Sequence, residues 1–204
     1  MWRRLVVVAF MMMLPLLGPT LAATVDTQAT VFIQTLGNQA LAVVRSNMAP
    51  TQKLQYFREL LDQDFDMPEI SRFVLGPYWR RASSSEQQQF TKLLSDDLVR
   101  FYRQRFTRYE GETFKVTGSR SDPAGTIVTS QILRPNGPPI EVDWQLTVQD
   151  GVYKISDVII DNISMALSER EAFARQIQQS GGQVATLLAR MERDASIGAL
   201  VGSP

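Results

Sequence analysis

The chain has 204 residues, 21 basic and 21 acidic, with no cysteine and no histidine. That composition excludes cysteine nucleophiles, Ser-His-Asp triads, disulfide frameworks and the usual zinc, haem-His and iron–sulfur sites. It carries no basic bias, so nucleic acid is not expected as a partner.

The first element is a leader. Met1-Trp2-Arg3-Arg4 is short and basic, residues 5–18 are apolar with a proline inside them, and residues 19–23 (PTLAA) offer small residues for cleavage. The apolar run is shorter than the ~20 residues that span a membrane, so residues 1–23 are expected to be a cleaved signal peptide. An exported chain without cysteine suits a bacterial periplasm. One domain over 24–195 and a flexible tail over 196–204 are the expected organisation.

Apolar residues at Val31, Phe32, Leu36, Ala40, Val43 and Val44 recur at helical spacing, predicting a helix from about Thr27 to Ser46. A second is expected over about Thr51–Leu61, with Leu54, Phe57 and Leu61 on one side. Asp66 and Glu69 cap a short third helix that Gly76 stops and Pro77 breaks. Ser83 and Glu86 form a capping box for a long fourth helix striped by Phe90, Leu94, Leu98, Phe101 and Phe106. Strands are expected near 112–119, 126–134, 139–149 and 152–160, joined by turn residues and so forming an antiparallel meander. A third box, Ser168 with Glu171, starts a helix bearing Phe173 and Ile177. After Gly181-Gly182, the residues Val184, Leu187, Leu188 and Met191 stripe the last one. Helices, then sheet, then helices predict an α+β fold: a helical layer packed on a four-stranded antiparallel meander sheet.

The last hairpin raises the chemical question. A two-residue turn at Asp150-Gly151 sets Val148 opposite Tyr153, Leu146 opposite Ile155, Trp144 opposite Asp157 and Val142 opposite Ile159. That places a carboxylate on the apolar face, either as a structural acceptor for the Trp144 indole, backbone amides or an arginine, or turned to water by a bulge, or as a catalytic acid. Tyr78-Trp79 before Arg80-Arg81 reads as core packing or as a pocket mouth. Arg100, Arg103, Arg105 and Arg108 read as a solvated helix face or a contact surface. Asp62, Asp64 and Asp66 lack the following ligands of a calcium loop.

Two stretches carry a family resemblance: FDMPEISRFVLGPYWRRASSSEQQQF (65–90) and EVDWQLTVQDGVYKISDVIIDNISMALSEREAF (141–173). Together they resemble the MlaC family of periplasmic phospholipid-transport proteins, the toluene-tolerance auxiliary family. NGPPI (136–140) and FIQTLGNQALAVV (32–44) are similar to its hopanoid-associated branch, HpnM. Pro77 stands where the family often has Arg, and Asn162 where it often has Gly.

The resemblance implies an NTF2-like outline with an apolar cavity between helices and sheet, and a phospholipid or hopanoid ligand whose headgroup stays near solvent. It implies an inner-membrane ABC complex with an MCE-type subunit as partner, an outer-membrane lipoprotein complex as a further one, and no cofactor. The expected walls are Val142, Trp144, Leu146, Tyr153, Ile155 and Ile159 from the sheet, with Phe73, Val74, Tyr78, Trp79, Phe101 and Ile163 from helices and loops. Asp157 is then a structural polar residue. The same apolar residues also suit an ordinary filled core. Two alternatives stay open: an enzyme acting on a polycyclic lipid with Asp157 as acid, and a non-binding adaptor.

Overall fold

The computed structural model describes residues 26–106 and 109–201. The leader expected over 1–23 and Arg108 lie outside them. Asp26 opens helix α1 (Thr27–Arg45), its carboxylate accepting the Ala29 amide at 3.0 Å, one of the donors a helix start leaves unpaired. Pro50 begins α2 (Pro50–Asp64), where a missing N–H costs nothing. Asp66 caps α3 (Met67–Leu75) by accepting the Glu69 amide at 3.1 Å, while the Glu69 carboxylate pairs with Arg72. Gly76, at φ +57°, ends that helix. Pro77 does not simply break the chain, because Gly76–Arg81 winds on as a 3₁₀ turn that carries Tyr78 and Trp79. The Ser83–Glu86 box heads α4 (Ser84–Phe106), with the Glu86 amide 3.3 Å from Ser83 Oγ and the Ser83 amide 2.8 Å from Glu86 Oε2.

Strands β1 (Thr113–Asp122), β2 (Gly125–Leu133), β3 (Ile140–Gln149) and β4 (Val152–Ile160) form the expected meander. The β3–β4 turn has Asp150 at φ 49° and Gly151 at 79°, the two positive angles a two-residue hairpin turn requires. The sheet has five strands, not four. Asp161 (φ 47°) and Asn162 (φ 66°) make a second tight turn, and β5 (Ile163–Ser164) folds back on β4. Asparagine enters the left-handed region at less cost than most residues, so the departure from glycine at 162 leaves that turn intact. Helix α5 (Met165–Gln179) starts earlier than expected. Its cap is Ser164, whose Oγ accepts the Leu167 amide at 3.0 Å, and Ser168 lies inside the helix, donating to the Ser164 carbonyl. Helix α6 (Val184–Val201) continues into the stretch read as tail.

Two apolar clusters result. In the helical core, Phe90 of α4 meets Phe173 of α5 edge-on at 5.4 Å, with Val74 and Leu75 of α3 and Leu187, Leu188 and Met191 of α6 around them. The sheet core sets Leu146 and Ile155 against Ala29, Ile33 and Leu36 of α1 and Leu60 of α2. Ala29 and Ile33, not Val31, carry the buried stripe of α1, and Val31 faces out. The α4 stripe leaves the core at Phe101, which is 57% exposed.

Candidate ligand-binding site

The expected walls do not meet around one chamber. Val142, Leu146 and Ile155 are buried on the sheet face that α1 covers, with Trp144 and Tyr153 half-buried at the rim. The Trp144 indole donates to Ser130 Oγ at 2.8 Å, and the Tyr153 hydroxyl donates to Asp26 at 2.8 Å while its ring stacks on Phe32. Val74 is buried in the other cluster, against which Tyr78 and Trp79 pack. Phe73, beneath the Arg170 guanidinium at 5.0 Å, and Ile163 and Phe101 lie at the surface.

Asp157 and Ile159 are on the sheet face opposite to the one expected. Leu146 pairs with Ile155 as the turn dictates, but then Gln145 pairs with Asp157, Trp144 with Val158 and Val142 with Ile160. Ser156 is the extra residue of a β-bulge, and one extra residue turns every later side chain over. Asp157 therefore never meets Trp144. Its carboxylate accepts the Val158 amide at 2.8 Å, the Ala166 amide at 2.9 Å and the Ser164 hydroxyl at 2.5 Å. The bulge carries it to the head of α5, where orphan amides and the helix dipole favour an anion.

Phe65 is not among the expected walls, yet it packs against both clusters. It precedes the Asp66 cap and packs against the helical core together with Ile70, the N′ and N4 positions of a hydrophobic staple, and that spacing was legible. Its backbone bridges to Ile155 and the Asp66 amide donates to the Ile155 carbonyl at 2.9 Å, so the α2–α3 junction closes the outer edge of β4. Residue 65 marks the seam between the two cores.

Beside that seam an open cleft of about 570 Å³ lies between α2, α3, the 3₁₀ turn and α4. Met67, Pro68 and Trp79 supply its apolar lining, α2 contributes Arg58 and Asp62, and α4 contributes Lys92 and Ser95. Asp96 receives Arg58 at 2.7 Å and Lys92 at 2.9 Å. Burial alone would raise the Asp96 carboxyl, but hydrogen bonds and charge from Lys92 and Arg58 outweigh it and hold it below the ordinary range. The Ser95 hydroxyl is buried with no hydrogen-bond partner among the described residues. Among those residues no group of three or more acidic side chains could hold a metal ion, and no helix is long and apolar enough to cross a membrane.

The family model for the MlaC protein matches residues 34–193. The intermembrane phospholipid transport system binding protein MlaC of Haemophilus influenzae is 21% identical over 187 residues, covering 87% of this chain and 86% of that protein. The toluene tolerance protein ttg2D of Pseudomonas putida is 24% identical over 121 residues, 58% of this chain and 56% of that one. A phospholipid-binding protein from Ralstonia solanacearum, solved in complex with a phospholipid, has the same fold. It superposes with a TM-score of 0.73 at 22% identity, covering 84% of this chain and 98% of that chain.

Proposed function

This chain belongs to the MlaC family, and from that premise we propose that it is a periplasmic carrier of phospholipid or a related amphiphile such as a hopanoid. It passes the lipid between an inner-membrane ABC complex with an MCE-type subunit and an outer-membrane lipoprotein complex. The leader over 1–23 directs export, and 24–195 bind the lipid. The family match across 34–193 carries this reading. The phospholipid held by the Ralstonia protein of the same fold supports the ligand class.

Two acyl chains of roughly 30 CH₂ groups cost about 24 kcal/mol gross to expose to water at ~0.8 kcal/mol each. A carrier must replace the bilayer's apolar contacts. Here the guest parts the two cores at Phe65 and rebuilds them around its tails, giving the NTF2-like outline its cavity. Half-buried Trp144, Tyr153, Tyr78 and Trp79 become walls, backed by Val142, Leu146, Ile155 and Val74. Phe73, Phe101, Ile159 and Ile163 stand at the margin.

Enzymic use of Asp157 has little support, since the Ser164 hydroxyl and the Ala166 amide tie that carboxylate to the start of α5 and the Val158 amide holds it from its own strand. Native mass spectrometry of protein purified from its own periplasm tests the proposal. The expected result is a lipid adduct that exchanges with vesicles. A protein that is lipid-free, and stays so with excess phospholipid, contradicts it.

A further inference from the structure

The geometry points to the cleft between α2 and α4 as a site for a zwitterionic headgroup, a phosphate monoanion joined to a primary ammonium. This rests on the carrier reading and adds polar recognition to it. The cleft adjoins the seam, because Met67, two residues after Phe65, lines it, as does Trp79 from the edge of the helical core. A lipid whose tails part the cores there has its headgroup at this opening.

The charges suit such a group. Arg58 and Lys92 share the single carboxylate Asp96, which leaves a surplus cation facing the cleft, and Asp62 lines it separately. A phosphate oxygen gains charge-assisted hydrogen bonds from Arg58 and Lys92, while the ammonium has Asp62 and the Trp79 ring. Ser95 supplies the independent observation. Thr91 on the same helix and Ser196 on α6 spend their hydroxyls on the carbonyl one turn back, at 3.0 and 2.9 Å. Ser95, only 7% exposed and lining the cleft, has no such bond and no other partner among the described residues. A buried hydroxyl left unpaired is costly, and a phosphate oxygen in the cleft satisfies it once a yielding α2 uncovers it.

The test is calorimetric titration of the delipidated mature chain with short-chain phosphatidylethanolamine, diacylglycerol of equal chain length, and tail-free phosphoethanolamine. The native chain is expected to prefer the phospholipid over the diacylglycerol by about tenfold, the scale of one or two charge-assisted contacts in a partly exposed site. R58Q/K92Q is expected to erase that preference while diacylglycerol binding holds, R58K to keep it, and Ser95→Ala to reduce it a few-fold. Equal affinity for both lipids in the native chain, or a preference that survives R58Q/K92Q, overturns the site and leaves the carrier reading standing. Phosphoethanolamine binding as tightly as the lipid marks an anion site unrelated to cargo and also overturns it. If neither lipid binds, both readings fall.

Discussion

Helices α1 and α2 follow one another and both bury leucine in the sheet core, yet they are held differently. Helix α1 is fixed along its length. At its head Asp26 accepts from Tyr153 and Thr126 and its amide donates to Ser119 Oγ. In its middle Gln34 accepts the Val116 amide, and at its end Arg45 reaches the Tyr109 hydroxyl and the Glu112 carbonyl. Helix α2 is held by lysines on carbonyls, Lys53 on Val44 and Lys154 on Gln63, and by the half-exposed Arg58–Asp96 pair. The exposed Lys154 bond and the partly exposed Arg58–Asp96 pair cost little to break, while the part-buried Lys53 bond ties only the first turn of α2. On the proposed carrier reading, α1 is a standing wall and α2 is the side expected to yield to a guest.

The largest effect that sharpens this contrast is Ile33→Ala on α1. Ile33 is fully buried, and such a truncation costs about 2–5 kcal/mol. Urea unfolding followed by circular dichroism reads it, and a loss well under this range would mean that α1 is loosely seated. Next is Gly37→Leu. A Cβ at 37 would overlap the edge of the Phe114 ring, which itself packs edge-on against Trp144 at 6.2 Å. Leucine is the better helix former, so a net loss of about 1–3 kcal/mol reports the clash alone; a more stable variant would show that the ring has room to move.

Asp26→Ala comes third, at about 1 kcal/mol near neutral pH, the usual worth of an N-cap. The Ala29 amide is the main cause of a lowered Asp26 pKa, opposed by burial and helped by Tyr153 and Thr126. A carboxyl with a folded pKa below its unfolded value stabilises the protein above the unfolded value, and the contribution fades as pH falls through the folded one. The gap between native and variant should thus narrow as the pH drops below 3.8, the ordinary aspartate value. A gap independent of pH would remove the carboxylate from the account. Smallest is Arg58→Gln on α2, under about 1 kcal/mol for a pair this exposed. Its signature is kinetic, with faster transfer of a fluorescent phospholipid to acceptor vesicles. Slower transfer would contradict a yielding α2.

What the sequence disclosed was local. Caps at Asp66 and Ser83 and the Asp150-Gly151 turn depend on residues within a few positions, so they could be read directly. The bulge at Ser156 could not, because its compensation is the docking of Asp157 onto the start of α5, and that depends on the later Asp161-Asn162 turn. The same turn decides between two serines four residues apart, giving the α5 cap to Ser164 and not Ser168. The cleft was hidden for a different reason. Arg58, Asp62, Trp79, Lys92 and Ser95 come from three separate segments, and no pattern along the chain announces that packing brings them together. Trp79 stands out in the sequence as an amphipathic ring and Asp62 as a member of an incomplete calcium loop, and neither points to a cleft.

Amide hydrogen exchange, comparing the delipidated chain with the same chain carrying phospholipid, tests the parting of the cores most directly. Protection is expected to change in α2, around Phe65 and on the cleft side of α4, while α1 and the strands beneath it keep theirs. Lipid-dependent changes concentrated in α1 and β1, with α2 unaltered, would contradict it.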